Sequence, residues 1–388
     1  MNVTAMQEAL AAHDLSGWLF FDHHLRDPLA YRILGLEAVR HVTRRWYYYV
    51  PRTGEPVKLV HRVEPHVLDT LPGAQRVYAG WREQRACLAE ILVPGSRVAM
   101  QYSPECAIPY VAMVDAGTVE LIRGCGVEVV SSADLVQEFE ARWSEEQYAL
   151  HREAGRRVDA VRAAAFQWIA AQLAAGGEPG EFDVYRFIRE AFARESLVTE
   201  HGPIVAVNAH AADPHYEPTA AVHAKIRPGD FVLIDMWAKL DRPRAVYYDI
   251  TWTGVCGPPD GQVQTVFEVV RRARDQAIAR VQAAVAAGET LRGFQVDDVA
   301  RGVIAAAGYG EFFTHRTGHS IGEDVHGAGV NLDNLETQDN RRIIPGVCFS
   351  IEPGIYLGPF GVRSEVNMFV GEREAAVTGE VQQALVRI

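Results

Sequence analysis

The sequence is poor in cysteine. Five occur among 388 residues (Cys87, Cys106, Cys125, Cys256 and Cys348), an odd number, scattered and without a CxxC pair. That spacing excludes a disulfide framework and a thiolate metal site, and fits a reducing cytoplasm. Long apolar runs are missing too: none approaches the roughly 18 residues of a membrane span. The first twenty residues have no basic stretch, and Glu8 and Asp14 interrupt their apolar positions, so no signal peptide is expected. Positive charge is scarce, with 38 Lys and Arg against 50 Asp and Glu, a formal charge of −12. Nucleic acid and anionic membranes demand clustered Lys and Arg, so neither is an expected partner. The one basic run, Arg40 to Arg45, is too short to track a phosphate backbone, and it abuts the aromatic run Trp46 to Tyr49, which reads as a buried strand. Low-complexity segments and short-period repeats are absent as well.

What remains is ordinary globular material, 48% hydrophobic and 23% charged. The length suggests two domains. Up to about residue 140, runs at 17–22, 45–50, 56–60 and 97–100 read as strands, with Thr53-Gly54 as a hairpin turn between the second and third. Residues 3–13, 63–71 and 82–92 carry apolar positions at helical spacing. The first half is therefore expected to be a small α/β domain, residues 1–142. From Ser131 to Gly176 the chain reads as one long helical stretch, and the boundary is placed inside it. The second domain, 143–388, alternates helices near 182–195, 261–287 and 295–307 with strands at 230–238, 245–253, 347–353 and 362–371. That succession is an α+β layer structure.

The informative residues of this half are acids and histidines on strands. Asp235 and Asp249 lie in two apolar runs joined by a polar turn. A hairpin centred on Arg242 sets them directly opposite, on one face, about 5 Å apart at Cβ. Two like charges at that distance repel unless a cation lies between them. The alternative is a solvent face with two unrelated acids. Against it, the neighbours on that face would be Leu233, Trp237, Tyr247 and Thr251. A second feature is His315-Arg316-Thr317-Gly318-His319-Ser320-Ile321-Gly322, followed by His326. Its glycines disfavour a regular helix and let backbone approach a ligand closely. Glu352 ends the strand Phe349-Ser350-Ile351 before Pro353-Gly354, and Glu365 follows Gly361-Val362-Arg363-Ser364 within a strand.

Together these supply four carboxylates and one imidazole in the order Asp, Asp, His, Glu, Glu. In that order and with those flanking motifs, residues 145–380 resemble the pita-bread metallopeptidase family, which includes methionine aminopeptidase, aminopeptidase P and prolidase. The resemblance implies a pita-bread catalytic domain behind a smaller creatinase-like N-terminal α/β domain. It implies five metal ligands, Asp235, Asp249, His319, Glu352 and Glu365, holding two divalent cations. It places His215 and His326 as catalytic histidines, with Glu352 as the proton carrier, and His315 and Arg363 on the proline side of the pocket. Mn²⁺ is the expected metal, since the oxygen-rich set lacks a thiolate; Co²⁺, Fe²⁺ or Zn²⁺ would also fit.

The expected activity is hydrolysis of Xaa-Pro bonds, with proline in the second position of small peptides. Proline has no backbone N–H and a fixed φ, so such bonds need a dedicated pocket. The N-terminal domain points by the same resemblance to a cytoplasmic homodimeric Xaa-Pro dipeptidase (prolidase), with aminopeptidase P as the alternative. A non-catalytic peptide-binding protein of this fold would be expected to lack ligands, and all five are present. This sequence departs from the family in a longer Asp235–Asp249 spacing, in Met236-Trp237 after the first Asp, and in Val366 and Gly327 where acids are usual. Other histidines lack motif partners, His41 and His210 being the two nearest to candidate segments.

Overall fold

The computed structural model describes residues 2–388. The chain divides into two compact units, the first closing at Glu140 and the second running from Ala141 to Ile388.

The first unit is built on a six-stranded sheet: β1 (Gly17–Asp22), β2 (Trp46–Pro51), β3 (Val57–His61), β4 (Ala74–Tyr78), β5 (Arg97–Met100) and β6 (Glu128–Ser131), in the order β4-β3-β2-β1-β5-β6. The hairpin at Thr53-Gly54 forms, β2 pairing antiparallel with β3, and Gly54 takes a φ of 98° that suits its turn. Every residue of β1 is buried, as are Trp46 to Val50 of β2. Strands covered on both faces read as continuous apolar runs, which is why these two were legible. Helices α1 (Val3–Ala12), α2 (Pro28–Leu34), α3 (Trp81–Ile91), α4 (Ala116–Arg123) and the short α5 (Ala133–Val136) connect the strands. Side chains of Asn2, Asp27 and Asp115 cap the first, second and fourth. The helix expected at 63–71 does not form. Its amides bond three residues back (Glu64 to His61, Asp69 to His66, Leu71 to Leu68), so it is a chain of turns; Pro65 lacks an amide to donate and Pro72 closes the segment.

The helical stretch expected from Ser131 to Gly176 is also interrupted. Ser144 accepts from Gln147 N and starts a new helix, α6 (Glu145–Ala174), through a capping box. With α7 (Glu181–Arg194) it packs on one face of a sheet formed by β7 (Leu197–Val198), β8 (Ile204–Val207), β9 (Phe231–Leu240), β10 (Tyr248–Val255) and, from the C-terminal end, β17. Val158, Phe166 and Ile169 of α6 and Val184, Ile188 and Phe192 of α7 meet Val232, Ile234 and Met236 of β9 and Ile250 of β10. The opposite face of β9 carries Phe231 and Leu233 into a second core, with Val266, Phe267 and Val270 of α8 (Gly261–Ala287) and Val296, Ala300 and Ile304 of α9 (Gly293–Ala306). That core also takes residues of β12 (Cys348–Ile351), β14 (Phe360–Arg363) and β15 (Val366–Val370). Here β12 lies between β11 (Ser320–Ile321) and β15, β16 (Ala375–Val377) follows β15, β13 (Gly354–Leu357) pairs with β14 alone, and β17 is Val386–Arg387. Two layers of helices thus enclose β-structure, and alternate residues of β9 and β10 point into the space between.

Candidate metal centre

Alternation along β9 puts Leu233, Asp235 and Trp237 on that inner face, and along β10 Asp249, Thr251 and Thr253. The register differs from the expected one: Asp235 pairs with Thr251, and Asp249 with Trp237. The turn is centred on Pro243 rather than Arg242, because Arg244 adopts a left-handed φ of 59° and lengthens the far side. A shift of two keeps every side chain on its face, so the acids are diagonal neighbours rather than directly opposed. Both are buried, at 7% and 4% exposure.

His319 reaches the same space from the glycine-rich segment. A Cβ on Gly318 would lie 1.9 Å from the Ser350 carbonyl oxygen, so only glycine lets this segment run against β12. Ser350 N donates to His319 O at 2.9 Å and Glu352 N to Thr317 O at 2.7 Å, which fixes His319 and Glu352 side by side. The Nε2 atom of His319 lies 3.6 Å from Asp249 Oδ2 and 3.4 Å from Glu352 Oε1. Its Nδ1 sits 3.1 Å from Ser320 O. A carbonyl can only accept, so Nδ1 carries the hydrogen and Nε2 presents its lone pair to the cluster.

Glu365 was expected within a strand, and instead occupies the break between β14 and β15. Its amide donates to Thr251 O on β10 at 3.1 Å, because the chain there leaves its partner β13 for its new partner β12. Glu365 Oε2 accepts from Thr251 Oγ1 at 2.8 Å. Potential ligand atoms of Asp249, His319 and Glu365 lie within 4.8 Å of one another. Asp235 Oδ1, Asp249 Oδ1 and Glu365 Oε1 are buried without any hydrogen-bond partner. Asp249 and Glu365, each with an orphaned carboxylate oxygen, and the His319 lone pair are a donor set that a divalent cation completes; Asp235, orphaned at Oδ1 as well, lies outside that group of three.

Burial and mutual repulsion dominate the electrostatics of the cluster. Burial raises the carboxyl pKa of Asp235, and raises those of Asp249 and Glu365 well above the usual range, with the neighbouring acids adding repulsion in the last two. Burial pushes Glu352 up to about 7, with Asp235 adding to the rise. Burial and the adjacent His326 hold His319 well below its ordinary value. Arg363 is a buried cation that opposes the acids. It donates through Nη2 to Asp235 Oδ2 at 2.5 Å, through Nε to Thr251 Oγ1 at 3.0 Å and through Nη1 to Tyr356 Oη at 2.8 Å. Its guanidinium, expected to line the proline side of the pocket, is 3% exposed and occupied by protein partners.

His315 joins the same network: Tyr356 Oη lies 2.7 Å from its Nε2, and its Nδ1 is 2.7 Å from Arg316 O. Burial and nearby Arg363 push its pKa down to about 3, so it is neutral. His326 packs edge-on against His319, ring centres 4.3 Å apart. Its ring still meets solvent, yet the surrounding protein and then Arg316 lower its pKa to about 4. His215 is exposed and close enough for its charge to act on Asp235 and His326. All nine candidate positions therefore lie in or beside this cluster. The sequence reading missed Tyr356, Ser350 and Asn367, the last bonding Asp249 N through Oδ1 at 3.0 Å. Only the proximity of Ser350 and Tyr356 to the Glu352 motif could have flagged them.

Comparison with known proteins gives this geometry a context. The pattern of metallopeptidase family M24 matches residues 149–372. The probable dipeptidase PepE of Mycobacterium tuberculosis is 31% identical over 269 residues, covering 69% of this chain and 66% of that protein. The Xaa-Pro dipeptidase of Lactobacillus helveticus is 35% identical over 187 residues, 48% of this chain and 45% of that one. The match thus spans just under two thirds of the first relative's length and less than half of the second's. Among solved structures, a dipeptidase from Pyrococcus horikoshii superposes with a TM-score of 0.68 at 25% identity, covering both chains fully. The dipeptidase PepE of Mycobacterium ulcerans reaches 0.72 at 24% identity over 100% of this chain and 96% of its own.

Proposed function

We propose, from the premise that this chain belongs to metallopeptidase family M24 and has its two-layered pita-bread fold behind an N-terminal domain, that it is an Xaa-Pro dipeptidase. The observation that carries the metal reading is the close grouping of Asp249, Glu365 and His319, with buried, partnerless oxygens on both of those acids and on Asp235. The substrate class rests on the 35% identity to the Lactobacillus helveticus Xaa-Pro dipeptidase.

In this reading Asp235, Asp249, His319, Glu352 and Glu365 hold two divalent cations, Mn²⁺ first among them. Bound cations supply Lewis acidity and bring the pKa of the hydrolytic water down to near 7. The protein does the rest. Glu352 is the most solvent-accessible of the four acids, its side chain 15% exposed against 10% or less for Asp235 and Asp249. It accepts the water's proton and delivers it to the leaving proline nitrogen. His326 and His215 donate to the carbonyl oxygen as it gains charge. Arg363 keeps Asp235 ionised and oriented, and His315, fixed by Tyr356, forms the wall behind the proline ring. The working form is a cytoplasmic homodimer, and light scattering should give twice the 42.9 kDa chain mass.

The deciding experiment follows proline release from Ala-Pro and alanine release from Ala-Pro-Ala by Mn²⁺-loaded enzyme. Cleavage confined to the dipeptide supports the proposal. Efficient tripeptide cleavage moves the assignment to aminopeptidase P, and no cleavage of either sinks the Xaa-Pro reading.

A further inference from the structure

Glu181 opens α7 and is completely buried, and among the described residues the ion-pair partner it has is His210, on a loop. Its Oε1 accepts from Val207 N at 2.7 Å, and its Oε2 from Ala224 N at 2.6 Å and from Tyr216 Oη at 2.7 Å. His210 Nδ1 lies 2.9 and 3.0 Å from the two oxygens. A carboxylate only accepts, so that nitrogen carries the hydrogen and all four partners are donors. The imidazole of His210 stacks on the Tyr216 ring, centres 4.2 Å apart. Val207, His210, Tyr216 and Ala224 are the start, middle and return of the segment that leaves β8. His215 lies on it, one residue before Tyr216.

That segment is also fitted to the metal-centre strands. A Cβ on Gly361 would lie 2.1 Å from Ala211 O, so β14 touches the segment's backbone directly. Pro214 O lies 3.5 Å from Arg363 Nη1. His215 itself has no side-chain bond of its own to set its place, only a backbone amide donating to Asp213 Oδ1 at 3.0 Å. We infer that Glu181 is a positioning residue: through His210 and Tyr216 it holds the β8–β9 segment in the shape that presents His215 to the substrate carbonyl. The inference rests on the proposed peptidase reading for the role of His215, and on geometry alone for the clamp. Sequence reading leaves Glu181 unmarked, because an acid in the first turn of a helix is what the helix dipole favours anyway.

The role separates from simple helix capping by its dependence on His215. Glu181→Gln keeps the volume but turns one acceptor into a donor facing donors. Tyr216→Phe removes one loop-side bond and leaves the bonds to Val207 and Ala224 intact. With Mn²⁺ content and folding unchanged, kcat on Ala-Pro is expected to fall about 10-fold in Glu181→Gln and about 3-fold in Tyr216→Phe. In a His215→Ala background the same changes should cost less than 2-fold. Equal losses in both backgrounds, or a His215→Ala enzyme as fast as wild type, would overturn the inference. If wild type fails to cleave Ala-Pro, the functional reading has failed, and amide exchange then decides the clamp. Exchange across 209–216 at least 10-fold faster in Glu181→Gln supports it; unchanged exchange overturns it.

Discussion

Asp249 shows how one residue can weaken a protein in one state and support it in another. Its carboxyl is buried beside Asp235 and Glu352 and leaves Oδ1 unsatisfied. Without a cation that is a desolvated charge among like charges, which costs stability. Asp249→Asn is therefore expected to melt no lower than wild type in chelator and lower than wild type with saturating Mn²⁺, while losing nearly all turnover. Paired melting curves check it; a lower midpoint in both conditions would contradict the account. Tyr356 is the opposite case, a neutral group serving two polar ones. Tyr356→Phe strands His315 Nε2 in the interior, costing about 1–3 kcal/mol, and leaves Arg363 Nη1 only Pro214 O at 3.5 Å; urea titration should register the loss. At this scale the five candidate ligands were legible because acids and a glycine-flanked His in apolar runs are conspicuous. Tyr356 and Ser350 were not, since a hydroxyl on a half-apolar strand looks the same whether or not it touches a ligand.

Among the elements, legibility followed burial. β9 and β10 announced themselves as apolar runs interrupted by one acid each, but their register depended on how an asymmetric turn distributes Pro243 and Arg244, which hydrophobic pattern does not encode. The run 362–371 reads as one strand and is divided between β14 and β15, because the switch of partners at Ser364-Glu365 is decided by β10 and β12, far away in sequence. A testable property of α6 follows from His151, fully buried, with Nδ1 2.7 Å from Tyr247 O and Nε2 2.7 Å from Thr378 Oγ1. Burial lowers its pKa to about 4. The unfolded chain, with an imidazole near 6.5, binds the proton more readily, so this contribution is complete above pH 6.5 and is lost as the pH falls from 6.5 to 4. The loss approaches roughly 3 kcal/mol. The stability gap between wild type and His151→Gln should therefore narrow over that window, and denaturant midpoints at pH 7.5 and 4.5 measure it. Gly318→Ala, with its Cβ driven at the Ser350 carbonyl, is expected to displace His319 and reduce bound Mn²⁺ below that of wild type, read by metal analysis of the purified protein.

For the whole molecule, acids dominate both the overall charge and the centre, and cations held by the proposed ligands would bind only the folded state. Mn²⁺ at 100 times its dissociation constant stabilises by about 2.7 kcal/mol per site, which for a unit of this size raises the melting midpoint by roughly 5–10 °C. Chelation should reverse it; a midpoint insensitive to both additions would mean the carboxylates are not a metal centre. The five groups that would hold those ions hang from separated pieces of chain, beginning at Asp235 on β9 and ending at Glu365 between β14 and β15. On the ribosome the first acid emerges roughly 130 residues before the last, an interval on the order of ten seconds at ordinary elongation rates. Until His319 follows, the nascent polypeptide carries two apolar strands with acids on their inner faces and lacks the one imidazole of the proposed set. The five proposed ligands are complete only once Glu365 has been made, so loading of the full set is expected to wait for that last acid.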